Sequence, residues 1–320
     1  MGPEGTSLDP SQVFLIGSSD REAAVRSLVK HAGLGGLSGK SVAVKANFNS
    51  ADAFPASTHP DTLRVLLTLL KEAGARAVTL VERSGMGDTR RVLETLGIFA
   101  LCEQLGVRVV VLNEEPEERW AHFERDDTHW LRGFYLAKEV LEADVVVQTC
   151  CLKTHRFGGH FTMSLKNSVG LVAKKVPGHH YDYMYELHGS PFQRLMIAEI
   201  NRYYPVHLVV MDAAKAFISG GPDKGPEVEP SLMLASTDRV AIDAAGVALL
   251  RVFGATGLAK KPVFQLEQIR RAAELGVGAR AAEALELVGL DERGREAAER
   301  VRSVFGEGSP GVNAPDDQRP

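Results

Sequence analysis

The chain has 320 residues, a mass of 34.6 kDa and a formal net charge of -4 from 37 basic and 41 acidic side chains. Hydrophobic residues make up 44% and charged residues 24%, which supplies a core, excludes a largely disordered chain and disfavours a nucleic-acid partner. Three cysteines, Cys102, Cys150 and Cys151, are too few for a disulfide scaffold or for a self-contained four-cysteine zinc or iron–sulfur site, so a reducing, cytoplasmic setting is expected.

Neither a signal peptide nor a membrane helix is expected, because no basic start with a long apolar run and no stretch of about 20 apolar residues occurs. Short β-rich runs alternate with longer helical patterns. A strand over 13–16 leads to a helix over 20–31, with Ser19 or Asp20 as N-cap. A strand over 41–45 is followed by a helix over 59–73, where Leu63, Leu66, Leu67 and Leu70 recur at helical spacing and Gly74 ends the run. Strand 77–81, a glycine-containing loop, helices 89–96 and 99–105, and strand 107–112 come next. The pattern then predicts a helix over 134–141 and a buried strand over 144–149. It resumes with helix 192–203, strands 207–211 and 232–235, and helix 237–250 with Ser236 as N-cap.

Continuous Val/Leu runs, rather than alternation, mean strands buried on both faces. The expected fold class is therefore α/β: a mainly parallel sheet with helices on both faces, plus a C-terminal helical extension. The chain divides into an α/β domain over 1–255, a helical extension over 256–305 and a disordered tail over 306–320. Residues 263–303 are rich in Ala, Glu, Arg and Leu without β-branched runs, which suggests helices used for packing or for assembly into a homo-oligomer.

Five of the ten histidines lie between residues 155 and 188, directly beyond the expected strand 144–149. Open parallel sheets bind ligands outside the carboxyl ends of their strands, and a loop of about 40 residues in a compact domain is usually functional. Histidine is the commonest metal ligand and titrates near neutrality, so His155, His160 and His188 are candidate ligands for a divalent metal ion. Lys153 and Lys166 can hold a carboxylate or phosphate, or form a Schiff base where desolvated. Gly158-Gly159 lets backbone amides approach a ligand. Lys45 and Asn47 follow a second strand end, and Asp212 follows a third, where its carboxylate can bind metal or orient a histidine. The candidate catalytic residues are His155, Lys166 and His188. The candidate substrate-binding residues are Lys45, Asn47, Lys153, Gly159, Asn167 and Asp212.

Three smaller signals stay open. The segment from Glu82 to Thr89 is an ordinary strand-to-helix turn or an anion site assisted by Arg90 and Arg91. The Gly/Pro-rich stretch 220–226 is a rigid lip over the site or a surface loop. Cys150-Cys151 is a vicinal pair, of which one thiol is core and the other faces the site as a soft ligand.

These residues also carry a resemblance. Leu152-Lys153-Thr154-His155, followed by Ser164-Leu165-Lys166-Asn167-Ser168-Val169-Gly170, resembles the core of the prokaryotic family called "domain of unknown function 362". Asp212 with the loop Gly220 to Pro226, Ala235-Ser236-Thr237-Asp238-Arg239-Val240-Ala241-Ile242-Asp243-Ala244, Lys45-Ala46-Asn47, and the helix starting His59-Pro60-Asp61-Thr62 fit the same pattern, over about residues 40–250. Many members carry cysteine-rich ferredoxin segments; this chain has none, so the resemblance implies no self-contained iron–sulfur cluster here. A looser likeness is to nickel-pincer lactate racemase-like enzymes, in the order His155, Lys166, Pro177-Gly178, His188. It implies a lysine carrying a covalent cofactor, with histidines as metal ligand and acid/base. Two classes of function remain. One is an enzyme acting on a small anionic substrate in a His/Lys-rich crevice, with or without a metal. The other is a non-catalytic metal or cofactor binding protein serving a redox partner. No nucleic-acid or membrane partner is expected.

Overall fold

The computed structural model describes residues 11–306 apart from Arg125, Gly159 and Lys260. Gly159, expected to approach a ligand, and the tail expected beyond Gly306 lie outside the described residues. In chain order the first elements are β1 (Ser11–Gly17), α1 (Arg21–His31), β2 (Ser41–Lys45), α2 (Pro60–Glu72), β3 (Ala77–Glu82), α3 (Thr89–Thr95), α4 (Ile98–Gln104) and β4 (Arg108–Val111). A hairpin of β5 (Trp120–Phe123) and β6 (Phe134–Ala137) leads through α5 (Lys138–Glu142) to the long strand β7 (Val145–His155). Then come β8 (His160–Thr162), α6 (Ser164–Asn167), α7 (Tyr183–Gly189), α8 (Gln193–Ile200) and β9 (Leu208–Phe217). The last elements are β10 (Glu227–Val228), β11 (Leu232–Ser236), α9 (Arg239–Val252), α10 (Glu267–Glu274), β12 (Leu285–Gly289) and α11 (Glu292–Gly306).

Local chemistry starts these helices where the pattern predicts. Asp20 caps α1 by accepting from the Ala23 amide, and Pro60 occupies the first turn of α2, where its missing N–H is harmless. The cap of α9 is Asp238, two residues beyond the expected Ser236, and it accepts from the Val240 and Ala241 amides. The Ser236 hydroxyl instead donates to the Gln12 carbonyl, tying β11 to β1.

The main sheet runs in the order β12-β1-β11-β9-β7-β2-β3-β4, with β10 added to β9 and β8 to β7. From β9 to β4 all neighbours are parallel; β11 is antiparallel to both β9 and β1. The fold is α/β with a mainly parallel sheet and helices on both faces. Adjacent strand residues point to opposite faces, so Phe14, Val42, Val44 and Val147 pack with α1, α2 and α4. Leu15, Ala43, Val146 and Leu152 belong to the cores on the other face, formed with α8, α9, α10 and α11. Among the described residues, no helix is long and apolar enough to cross a membrane.

Strands β5, β8 and β10 appear where no element was expected, the strand expected over 207–211 runs on as β9 to Phe217, and three further segments depart from expectation. Residues 134–137 are strand rather than helix, because they pair with β5 from Trp120↔Ala137 to Phe123↔Phe134; only 138–142 are helical. Strand β7 runs on to His155, with every residue buried, because β8 and β9 continue to pair with it. The expected loop after residue 149 therefore contains a strand end, a second strand and two helices. Finally, the extension over 256–305 contains β12 as well as helices. Leu285 to Gly289 joins the sheet edge parallel to β1, from Ser11↔Leu285 to Leu15↔Gly289. Its sequence, Leu-Glu-Leu-Val-Gly, has one β-branched residue, so the pairing and not the intrinsic preference makes it a strand.

Candidate functional site

Strands β2, β3 and β4 follow one another to one side of β2, and β7 then returns to its other side. The reversal puts a crevice between the carboxyl ends of β2 and β7, the usual ligand position in such sheets. Lys45, the last residue of β2, is opposite Gln148, so seven residues of β7 project beyond it. At about 3.3 Å per residue this overhang reaches roughly 23 Å. It forms one wall of a cleft of about 360 Å³ lined by Lys45, Asn47, Glu82, Arg83, His155, Lys166, Asn167, Lys174, Asp182 and His188, among others.

Short helix α6 brings Lys166 and Asn167 over the end of β2. Its first two amides, from Ser164 and Leu165, donate to the two carboxylate oxygens of Asp243 at 2.8 and 2.9 Å. Asp243 lies on α9, fully buried, and burial raises its carboxyl to about 7 despite those two hydrogen bonds. Ser168, just beyond α6, is pinned by Asn201 and Tyr204, and Arg239 holds Asn201 in turn. The two quoted motifs therefore meet in space: one carries the cleft lysine and the other clamps its backbone.

The floor is a buried ion pair. Lys45 Nζ lies 2.6 Å from Glu82 Oε1 and donates to Asn167 Oδ1 at 3.0 Å. Burial favours the neutral form of both partners, and their mutual attraction opposes it. A methyl group on Gly170 would lie 2.7 Å from Lys45 Cε, so this glycine is what lets the chain cross the lysine so closely. Arg83 is buried beside the pair, donating to the Val169 and Val172 carbonyls, and burial lowers it to about 10, still charged at neutral pH.

Lys166 differs from these cations. Its ammonium has no hydrogen-bond or ion-pair partner among the described residues, and it lines the cleft. Burial, with Arg83 and Lys153 nearby, lowers it to about 8. The flanking histidines have opposite polarity. His155 Nδ1 accepts from the Phe157 amide at 3.2 Å, which places the proton of the neutral ring on Nε2. His188 Nδ1 lies 2.6 Å from the Met184 carbonyl and must donate to it, which leaves Nε2 an acceptor. Burial, reinforced by Lys166, holds both rings below the usual histidine range. Asp182 accepts from the Met184 and Tyr185 amides and so caps α7.

Six expected residues gather in the cleft: Lys45, Asn47, His155, Lys166, Asn167 and His188. Others do not. Lys153 is fully buried and donates to the Ala56 carbonyl. Asp212 accepts from Arg21 Nε at 3.0 Å and Thr62 Oγ1 at 2.6 Å, so its carboxylate staples β9 to α1 and α2. His160 does not line the cleft: it pairs with His155 across the β7–β8 hairpin and lines two neighbouring hollows, one with Arg194 and Glu267 and one with His155 itself. His155 therefore adjoins both other histidines, while His160 and His188 line different hollows. Among the described residues no group of three His, Cys, Asp or Glu side chains could hold a metal ion. Both Cys150 and Cys151 are core, and neither lines the cleft.

The turn after β3 is occupied by its own contacts. Asp88 caps α3, Thr89 accepts from the Ser84 amide, and Asn49 accepts from the Gly85 amide, while Arg90 pairs with Glu114 at the surface. From the end of β3 and this turn, Glu82, Arg83, Gly85 and Met86 reach the cleft, and the first two bring its charge. The signal was a charged pair closing a strand next to β2. Loop 220–226 is a lip: Pro222 lines the cleft, and Gly221, at φ 64°, is so close to β7 that a Cβ would lie 2.1 Å from the Thr154 carbonyl oxygen.

A family model described as Domain of unknown function (DUF362) matches residues 42–248, more than half of the chain. A thylakoid-associated protein of Synechocystis sp. is 29% identical over 188 residues, covering 58% of this chain and 54% of the relative. The chain therefore spans about half the length of that curated relative. Among solved structures, the lactate racemase apoprotein from Thermoanaerobacterium thermosaccharolyticum aligns with a TM-score of 0.44 and 15% identity, covering 77% of this chain and 57% of that one.

Proposed function

Since the chain belongs to the DUF362 family, whose name carries no activity, we propose from its cleft that it is an enzyme that binds a small anionic molecule and moves a proton on it. One observation carries the reading: Lys166, an amine held at about 8 and without a protein partner among the described residues, faces a cleft of about 360 Å³. A lysine needed only for structure would be paired, as Lys45 and Lys153 are.

Four cationic side chains, Lys45, Arg83, Lys166 and Lys174, face the carboxylates Glu82 and Asp182 among the described lining residues. Glu82 is consumed by Lys45 and Asp182 by its helix cap, so the surplus positive charge attracts a carboxylate or phosphate. Exposed Lys174 draws the anion in, and Lys166 donates to it. His188 Nε2 takes a proton, and His155 Nε2–H stabilises the oxyanion that develops. The neutral fraction of Lys166 is a second base. This division of labour follows from the fixed tautomers, one ring presenting a donor and the other an acceptor.

The test has two readouts. A thermal-shift screen of small carboxylates and phosphates should yield a ligand that stabilises the protein, and Lys166→Met should abolish that stabilisation. The same ligand, incubated with the protein in heavy water, should exchange a carbon-bound hydrogen for deuterium, followed by proton NMR. Binding without exchange would favour the accessory-protein reading. If no anion binds, or if Lys166→Met binds as wild type does, the proposal fails. Intact-mass analysis of the native protein should give the bare chain; extra mass on the Lys166 peptide would replace the free-amine mechanism with a covalently attached cofactor.

A further inference from the structure

The start of α7 and the residues leading into it face two separate hollows. Asp182, Met184, Tyr185 and His188 line the cleft, whereas Tyr181 and Tyr183 line a separate recess of about 540 Å³. The opposite wall of that recess comes from the β5–β6 hairpin, with His122, Arg132 and Tyr135, and its rim from His179 and His180.

These rings form a connected array. Tyr135 lies 4.5 Å from His122 between ring centroids and meets Tyr183 near edge-on at 5.7 Å. Tyr181 meets Tyr183 at 4.9 Å, and the Arg132 guanidinium sits 4.7 Å from the Tyr181 ring centre. Several walls are fixed from outside. His122 bonds the Arg132 carbonyl at 2.9 Å, His179 bonds Glu117 at 3.1 Å, and the Tyr181 hydroxyl donates to Glu186 at 2.9 Å. Such a surface binds without first having to order itself.

The polar groups left over define the ligand. Among the described residues, the Arg132 guanidinium and the Tyr135 and Tyr183 hydroxyls make no hydrogen bond. A guanidinium stacked on a tyrosine keeps its N–H edge free for an anion, and the tyrosine and histidine rings favour another ring beside them. We infer that this recess is a binding site for a planar aromatic molecule bearing a negative charge, its ring against Tyr135 and Tyr181, which the buried Tyr183 backs, and its anion on Arg132. The site is independent of the proton-transfer reading of the cleft.

Naphthalene-2-sulfonate is the probe, titrated by calorimetry into the full chain. Saturable binding is expected, weakened about tenfold or more by Arg132→Gln and by Tyr181→Leu, which corresponds to about 1.4 kcal/mol. Lys166→Met should leave it unchanged. Cyclohexanesulfonate, with the charge but no aromatic ring, and 2-naphthylmethylammonium, with the ring but the opposite charge, should each bind at least about tenfold more weakly. Melting curves of both recess variants establish that they fold, and either one suffices for the test. The inference is overturned if the probe does not bind at millimolar concentration. It is overturned equally if binding disappears in Lys166→Met and survives in Arg132→Gln, because the probe then sits in the cleft.

Discussion

Replacing Lys166 by Met exchanges a buried ammonium for an uncharged side chain of similar length. The amine is held at about 8 against 10.5 for an ordinary lysine. A gap of about 2.5 pH units amounts to about 3 kcal/mol, at about 1.4 kcal/mol per unit. Below pH 8 the amine is protonated in both folded and unfolded chains, and the full penalty of the buried charge falls on the native state. Between 8 and 10.5 the unfolded chain keeps the proton that the native chain has released, so the wild type gains stability as pH rises through that window. Lys166→Met removes the penalty. Urea unfolding at pH 7 should therefore show the variant more stable by about 1–3 kcal/mol, with the advantage shrinking as pH rises. Competitive labelling with trace acetic anhydride reads the same quantity directly. At pH 7 about 10% of an amine titrating at 8 is neutral, roughly 300 times the fraction for one at 10.5. The Lys166 peptide should label with a midpoint near 8. A midpoint near 10.5, or a variant less stable than wild type at every pH, would refute the reasoning.

Three further outcomes follow from the packing. Lys45→Met strands the Glu82 carboxylate in the interior and should destabilise by about 3–5 kcal/mol in urea melts, with much of the loss recovered by adding Glu82→Gln; a loss under 1 kcal/mol would mean the pair is solvated. Asp243→Ala leaves the Ser164 and Leu165 amides without their acceptor and should remove about 2 kcal/mol or more. It should also move the Lys166 labelling midpoint upward as α6 loosens, and an unmoved midpoint would confine Asp243 to stability. A chain truncated after Ala284 loses β12 and the buried Ala297, Ala298 and Val301 of α11, and it bares the β1 edge. It should precipitate or melt at far lower temperature, whereas a soluble truncation with the wild-type melting curve would make 285–306 dispensable.

Where local pattern and tertiary pairing agree, the chain was readable. Strands β2 and β3 and helix α2 satisfy period and caps together, and the cleft lies at the strand ends where Lys45, His155 and Lys166 suggested it would. The misreadings share a physical origin in long-range partners. Residues 134–137 become strand through β5, and 285–289 through β1, which is 274 residues away in sequence at Ser11↔Leu285. Asp212 and Lys153 have the right chemistry at the right ends, but partners from distant loops and helices capture them first. No sequence spacing reports that competition. Glu82 and Arg83 stood out only as the start of a turn or anion site, for the converse reason: their neighbours, Lys45 and the carbonyls of 169 and 172, are joined to them only by the fold.

The vicinal thiols on β7 have a use that is not chemical. Burial pushes Cys151 up to about 12, raises Cys150 well above the ordinary thiol range, and holds Cys102 on α4 at about 11. None can meet an alkylating reagent while the native packing holds, so modification happens only through momentary opening. The molecule thus carries its own clock at two depths. Cys150 and Cys151 time the parting of the sheet at its centre, beside the crevice, and Cys102 times the lifting of a peripheral helix. Any ligand that locks β7 to β2 will slow the first clock and leave the second running, so occupancy of the cleft can be read before its chemistry is known.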